Sequence, residues 1–181
     1  MMTPRTRTRF LALLGVGLAL YVLAWALGVT VAVNSTPSMA RGLYVVVPDS
    51  SPRPGQVVAV CVPDRAAAET YRARQYLRSS SRCPVGLAPL LKPLVAGPGD
   101  TVTITAQGVE VNGSLQPNSR VMDTDSEGRP VDHLPLGWSA TLGPREYFAL
   151  ATRIERSLDS RYYGPVSRDD LQGRAFALIT F

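Results

Sequence analysis

Residues 10–33 read FLALLGVGLALYVLAWALGVTVAV, 24 consecutive positions without a charge. A bilayer core takes about 20 such residues as helix, so the run is long enough to span it. Three arginines (Arg5, Arg7 and Arg9) precede it, and the first basic residue after it is Arg41. That asymmetry keeps the N-terminus in the cytoplasm and puts everything after Val33 outside it. A cleaved secretory signal is the competing reading, with Ala24-Trp25-Ala26 as a loose small-x-small site. The apolar run continues seven residues past Ala26, which is too long for a signal core and favours an uncleaved anchor. The expected organisation is a basic cytoplasmic segment (1–9), a transmembrane anchor (10–33) and one extracytoplasmic domain (34–181).

The net charge of +5 suggests a nucleic-acid binder until its distribution is considered. Without the three leading arginines, 16 basic residues face 14 acidic ones, and the remaining +2 is no polyanion footprint. Of the 19 basic residues only Lys92 is lysine. One histidine (His133) and two cysteines (Cys61 and Cys83) exclude a zinc site built from three or four such ligands with any to spare.

Past the anchor, short β-type runs alternate with turns. Pro and Gly together number 30, too many for a helical bundle and suited to a turn-rich sheet protein. The pattern predicts strands at 43–47, 56–62, 90–96, 101–105, 109–111, 147–152 and 174–181. Gln107-Gly108 and Asn112-Gly113 are hairpin-type turns. One helix is predicted over 65–77, capped by Asp64. Five arginines fall between Arg65 and Arg82, either as a solvated face or as a contact for anionic lipid head groups. Residues 113–137 are polar and turn-rich and read as a mobile excursion from the sheet.

Outside the cytoplasm, Cys61 and Cys83 are able to form a lasting disulfide; two buried thiols are the alternative. A bridge closing a loop of that length contributes ~3 kcal/mol in the chain-entropy model.

Ser38 follows the anchor by five residues, between Pro37 and a glycine-bearing turn. To act as a nucleophile it needs a base. His133 is preceded by Asp132, but adjacency in sequence is not a triad, and an exposed loop histidine accounts for it as well. Lys92 lies in Pro89-Leu90-Leu91-Lys92-Pro93-Leu94. On a strand it shares a face with Leu90 and Leu94, and burial there lowers a lysine pKa toward the range of a working base. Pro93 fits equally an edge strand with Lys92 facing solvent.

Taken in order, four stretches resemble the boxes of the type I signal peptidases, the Ser/Lys-dyad serine endopeptidases of the S26 class. Thr36, Ser38 and Met39 resemble the nucleophile box. Pro54-Gly55-Gln56-Val57-Val58 resembles a Gly-Asp-Val-Val strand with Gln56 in place of the acid. Lys92 through Val95-Ala96-Gly97-Pro98-Gly99-Asp100 resembles the general-base box. Tyr147-Phe148 through Ser157, Asp159, Ser160, Arg161, Tyr162 and Gly164 resembles the last box. The likeness runs over residues 36–181. There are departures. Ser38-Met39 is followed by Ala40-Arg41-Gly42-Leu43-Tyr44 instead of a Pro-Thr pair, and Ala151-Thr152-Arg153-Ile154 stands for the usual Gly-Asp-Asn-Arg. With the cysteine pair and the small size, these resemble the TraF-type branch, conjugal-transfer peptidases that mature pilin subunits.

The resemblance implies a mainly β, signal-peptidase-like domain behind one transmembrane helix, in the inner membrane with its catalytic part periplasmic. It implies Ser38 as nucleophile and Lys92 as general base, with the Ser38 N–H and the Thr36 hydroxyl at the oxyanion. Ser157 would orient the amine. Asp159 would hold the site through Arg161, or pair with it as an ordinary structural ion pair. The substrate would be an exported or membrane-inserted precursor such as a pilin subunit, bound as an added strand and cleaved or cyclised, next to inner-membrane lipid. No metal, organic cofactor or nucleic acid is implied. General removal of signal peptides from secreted preproteins is the nearest alternative. A non-catalytic anchored scaffold of a conjugation complex is a more distant one.

Overall fold

The computed structural model describes residues 4–181, so the first three residues of the basic 1–9 segment lie outside it. Helix α1 (Pro4–Ala26) contains most of the apolar run. Within it, no residue of the window Arg9–Ala26 is buried. A helix apolar on all sides and unburied is a candidate membrane span. The run does not stay helical to Val33. Gly28 adopts a positive φ of 71°; its N–H donates to the Trp25 carbonyl and the Val29 N–H to that of Ala24. These two bonds form a Schellman stop. The β-branched Thr30-Val31-Ala32-Val33 that follows belongs to β1 (Thr30–Asn34). Composition alone merges the two elements, because both are apolar.

After β1 come β2 (Gly42–Val47), β3 (Val57–Val60), helix α2 (Arg65–Ala73) and β4 (Leu90–Ala96). Strands β5 (Thr101–Ile104), β6 (Val109–Val111), β7 (Ser114–Leu115), β8 (Ser139–Thr141) and β9 (Glu146–Ala149) follow. The chain ends through a single helical turn α3 (Ser160–Tyr163), β10 (Val166–Ser167) and the long β11 (Leu171–Thr180). Every predicted strand has a counterpart, and the predicted 65–77 helix stops at Ala73. Strands β1, β7, β8 and β10 were not foreseen; all but β1 are only two or three residues long.

Seven strands form one antiparallel sheet in the order β1-β2-β11-β3-β4-β9-β10, and β7-β6-β5-β8 form a second. Strand β9 serves both cores by alternation: Tyr147 and Ala149 pack with Val58, Val60 and Leu94, while Phe148 packs with Val102, Ile104 and Val109. Strand β4 is internal, so the edge-strand reading of Lys92 does not hold. Pro93 stands just before the first β4–β9 pair, Leu94 with Ala149, and its carbonyl accepts from the Leu150 N–H. Gly42 begins β2 where β11 comes closest: a Cβ there would lie 2.0 Å from the Ile179 carbonyl oxygen.

Cys61 and Cys83 are bridged, with Cα atoms 5.5 Å apart. The bridge ties the α2 insert to the end of β3. The 113–137 segment, expected to be mobile, is tied from two sides. Arg74 donates to the Pro130 carbonyl and Tyr76 to the Asp125 carboxylate. From the other side Arg161 donates to the Arg120 carbonyl, and the Arg161 carbonyl accepts from the Leu134 N–H.

Candidate active site

Ser38 lies in the loop between β1 and β2, and the residue that shapes this loop is Asn34, at the end of β1. Its carboxamide nitrogen donates to the carbonyls of Thr36, Met39 and Ala40, at 2.9, 3.2 and 3.0 Å. Its carboxamide oxygen accepts from the Thr36 N–H at 3.3 Å and from the Thr36 hydroxyl at 2.9 Å. Tyr44 adds a bond from its hydroxyl to the Ala40 carbonyl at 2.7 Å. Met39 packs with Tyr44 and Ala59 beneath the loop. The loop is therefore a fixed turn, and Ser38 is buried within it while Thr36 stays exposed.

Lys92 reaches this loop from the middle of β4, where it is 3% exposed. Its Nζ lies 3.0 Å from Ser38 Oγ and 2.7 Å from Ser157 Oγ. Ser38 Oγ is in turn 3.0 Å from Thr36 Oγ1. Desolvation lowers the Lys92 pKa from 10.5 to about 8; the Asp159 charge opposes this shift and the Arg161 charge adds to it. An amine with that pKa is neutral in an appreciable fraction near pH 7 and accepts a proton from a hydroxyl at hydrogen-bond distance.

Asp159 and Arg161 are fully buried and paired through two parallel bonds, Nε to Oδ1 at 2.8 Å and Nη2 to Oδ2 at 2.9 Å. Asp159 also accepts from the Ala151 N–H at 3.2 Å and caps α3 through the Arg161 N–H. Arg161 Nη2 donates to the Ser157 carbonyl at 3.2 Å. The pair thus positions the residue that holds the Lys92 amine. A buried ion pair with its remaining donors and acceptors satisfied is stable where a lone charge would not be.

Six residues singled out from the sequence therefore converge: Thr36, Ser38, Lys92, Ser157, Asp159 and Arg161. His133 does not join them. Its Nδ1 bonds the Leu134 carbonyl at 2.7 Å and its Nε2 lies 3.0 Å from Asp123 Oδ1. The Leu134 carbonyl, then Asp123, hold its pKa above 6.5. Asn34 escaped the sequence reading. The available signal was an Asn closing a β-branched run immediately before Ser-Thr-Pro, a side chain suited to gathering backbone groups in a turn. Among the described residues no group of three His, Cys, Asp or Glu is arranged to hold a metal ion.

Residues 5–180 match the model of the family described as signal peptidase, peptidase S26. A conjugal transfer protein TraF from Agrobacterium fabrum is 36% identical over 181 residues, covering 99% of both chains. A plasmid transfer protein TraF from Escherichia coli is 33% identical, over 91% of this chain and 90% of its own. A signal peptidase I structure from Enterococcus faecalis overlays with a TM-score of 0.37 at 19% identity, over 68% of this chain and 96% of that one.

Proposed function

The chain belongs to the signal peptidase family, peptidase S26, and on that premise we propose that it is a membrane-anchored serine endopeptidase with Ser38 as nucleophile and neutral Lys92 as general base. The observation that carries the reading is the 3.0 Å approach of a buried lysine amine to a buried serine hydroxyl. Lys92 takes the Ser38 proton as Oγ attacks the substrate carbonyl; the same amine then protonates the leaving nitrogen. The Ser38 N–H serves the oxyanion, a contribution typically near 3 kcal/mol per donor; the Thr36 hydroxyl, which donates to Asn34 here, joins it by turning away from that partner. Ser157 orients the amine, and the Asp159–Arg161 pair holds Ser157.

The relatives are plasmid and conjugal transfer proteins; with the TraF-type resemblance, this favours a conjugative pilin precursor as substrate. In this reading α1 spans the inner membrane with its basic end in the cytoplasm, and the β-domain works at the periplasmic surface. The acyl-enzyme is resolved by water or by the substrate's own amino terminus.

The test is processing of the pilin precursor by the full chain in membranes. Ser38→Ala and Lys92→Ala are expected to abolish it. Lys92→Arg is expected to fail equally, because a guanidinium does not give up its proton at working pH. Processing that survives Lys92→Arg sinks the assignment. Mass spectrometry of the product separates a linear chain from a cyclic one, which is lighter by one water.

A further inference from the structure

A cavity of about 200 Å³ opens beside the dyad, lined by Tyr76, Met122, Val131, Leu158 and Tyr162 and by Ser157. Ser157 is the residue it shares with the site, and its hydroxyl bonds the same Lys92 amine as Ser38 does. Thr124, Ser126, Asp125 and Arg156 also line it, and the two charged ones are engaged. The Asp125 carboxylate accepts from the Tyr76 hydroxyl and the Arg129 guanidinium, and Arg156 donates to the Thr124 carbonyl. The rest of the wall is mainly apolar and aromatic. An apolar cavity of ~150 Å³ holds a benzene molecule, so this one has room for a single large apolar side chain.

Which residue of a substrate would reach it follows from proton accounting. Ser38 Oγ touches Thr36 Oγ1 and Lys92 Nζ, and Lys92 continues to Ser157. The leaving amine must collect its proton from Lys92, so it lies on the lysine side of the serine and not on the Thr36 side. Microscopic reversibility places an incoming amine on that same side. Ser157, the second partner of that amine, is part of the cavity wall.

We propose that this cavity, bounded by Met122, Leu158 and Tyr162, binds a bulky apolar side chain on the amine component of the reaction: the residue immediately after the scissile bond, or the one that replaces it as acceptor. The proposal rests on the acyl-transfer reading. In the acceptor step the amine nitrogen attacks the Ser38 ester carbonyl and passes one proton to neutral Lys92. The carbon–Oγ bond then breaks, and Oγ recovers that proton from Lys92. The products are an amide and free Ser38. Water in place of the amine leaves a carboxylic acid.

Partitioning of the acyl-enzyme tests this directly. The full chain in detergent micelles is acylated with acetyl-trialanine p-nitrophenyl ester, and the nitrophenolate burst counts competent enzyme. Glycinamide, leucinamide and phenylalaninamide are then offered at equal concentration, and the ratio of amide to acid product is measured. The wild type is expected to favour leucinamide and phenylalaninamide over glycinamide by at least about tenfold, the scale of burying one such side chain. Met122→Trp, which fills the cavity, is expected to collapse that preference. Met122→Ala, which enlarges it, is expected to keep it and to favour phenylalaninamide further. Equal partitioning among the three amines in the wild type overturns the proposal, as does a preference that neither variant alters. Absence of a burst from the wild type instead overturns the acyl-transfer reading beneath it. A Met122→Trp chain without a burst leaves the Met122→Ala ratio to decide.

Discussion

Lys92 Nζ lies 3.0 Å from Ser38 Oγ across 54 residues of sequence. Strands β11 and β3 separate β2, which follows the serine loop, from β4, which carries the lysine. The serine loop therefore has to fold inward, and the carboxamide of Asn34 holds it in that conformation. The lysine needs no such help to point inward, since Val58 pairs with it from β3 and it shares the buried face of Leu94. Four consequences are measurable.

The pH dependence follows from the depressed lysine. Desolvation brings Lys92 to about 8, and only its neutral form is a base. Cleavage, read as kcat/KM, is expected to rise with pH to half its plateau near pH 8 and to fall to roughly a tenth at pH 7. A half-rise near pH 6.5, the range of an ordinary histidine, would contradict the assignment.

The same shift has a cost in stability. The unfolded chain holds the Lys92 proton up to about pH 10.5, the folded one only up to about 8. Stability therefore rises with pH across that interval, and the penalty is fully present below pH 8. Lys92→Met, inactive by the argument above, is expected to be more stable than the wild type at pH 7 by roughly 1–3 kcal/mol, with the bonds to Ser38 and Ser157 lost against the gain. The gain is expected to shrink by pH 10. Urea titrations at the two pH values measure both effects.

Removing the charge of Asp159 leaves a buried guanidinium unpaired. Asp159→Asn is expected to cost about 3–5 kcal/mol and to loosen Ser157, whose carbonyl Arg161 also holds. The thermal midpoint reports the first effect. Loss of cleavage at a temperature where the variant is still folded reports the second.

Asn34→Ala removes the carboxamide that gathers the serine loop. Displacement of a nucleophile by about 1 Å typically costs 100-fold in rate, so kcat is expected to drop by about that factor with little change in KM. Unaltered kcat in this variant would mean that Tyr44 and Met39 suffice to hold the turn.

The sequence carried the site further than it carried the fold around it. Ser38, Lys92, Ser157 and the Asp159–Arg161 pair were legible because each lies in a short ordered box. The local pattern at Lys92 was not decisive: a Leu-Leu-Lys-Pro run has the same period on an edge strand and on an internal one, and only β3 and β9, distant in sequence, make it internal. Strand β1 was hidden in the apolar run because valine and threonine extend hydrophobicity without announcing a change of backbone. The polar composition of residues 113–137 concealed their anchorage, since Arg74, Tyr76 and Arg161 bind them from other segments. Asn34 was unreadable for a related reason: its partners line up only once the loop has closed.

Helix α1 and strand β1 are separated by three residues, one of them locked by the stop at Gly28. With α1 seated in the bilayer, as proposed, so short a joint leaves no slack. The domain is held on a handle and not on a leash, and the five residues of β1 span roughly 17 Å before the serine loop begins. The height of the nucleophile above the lipid is then a fixed dimension of the molecule. A precursor would be chosen by where its scissile bond stands above the membrane before any of its side chains is read.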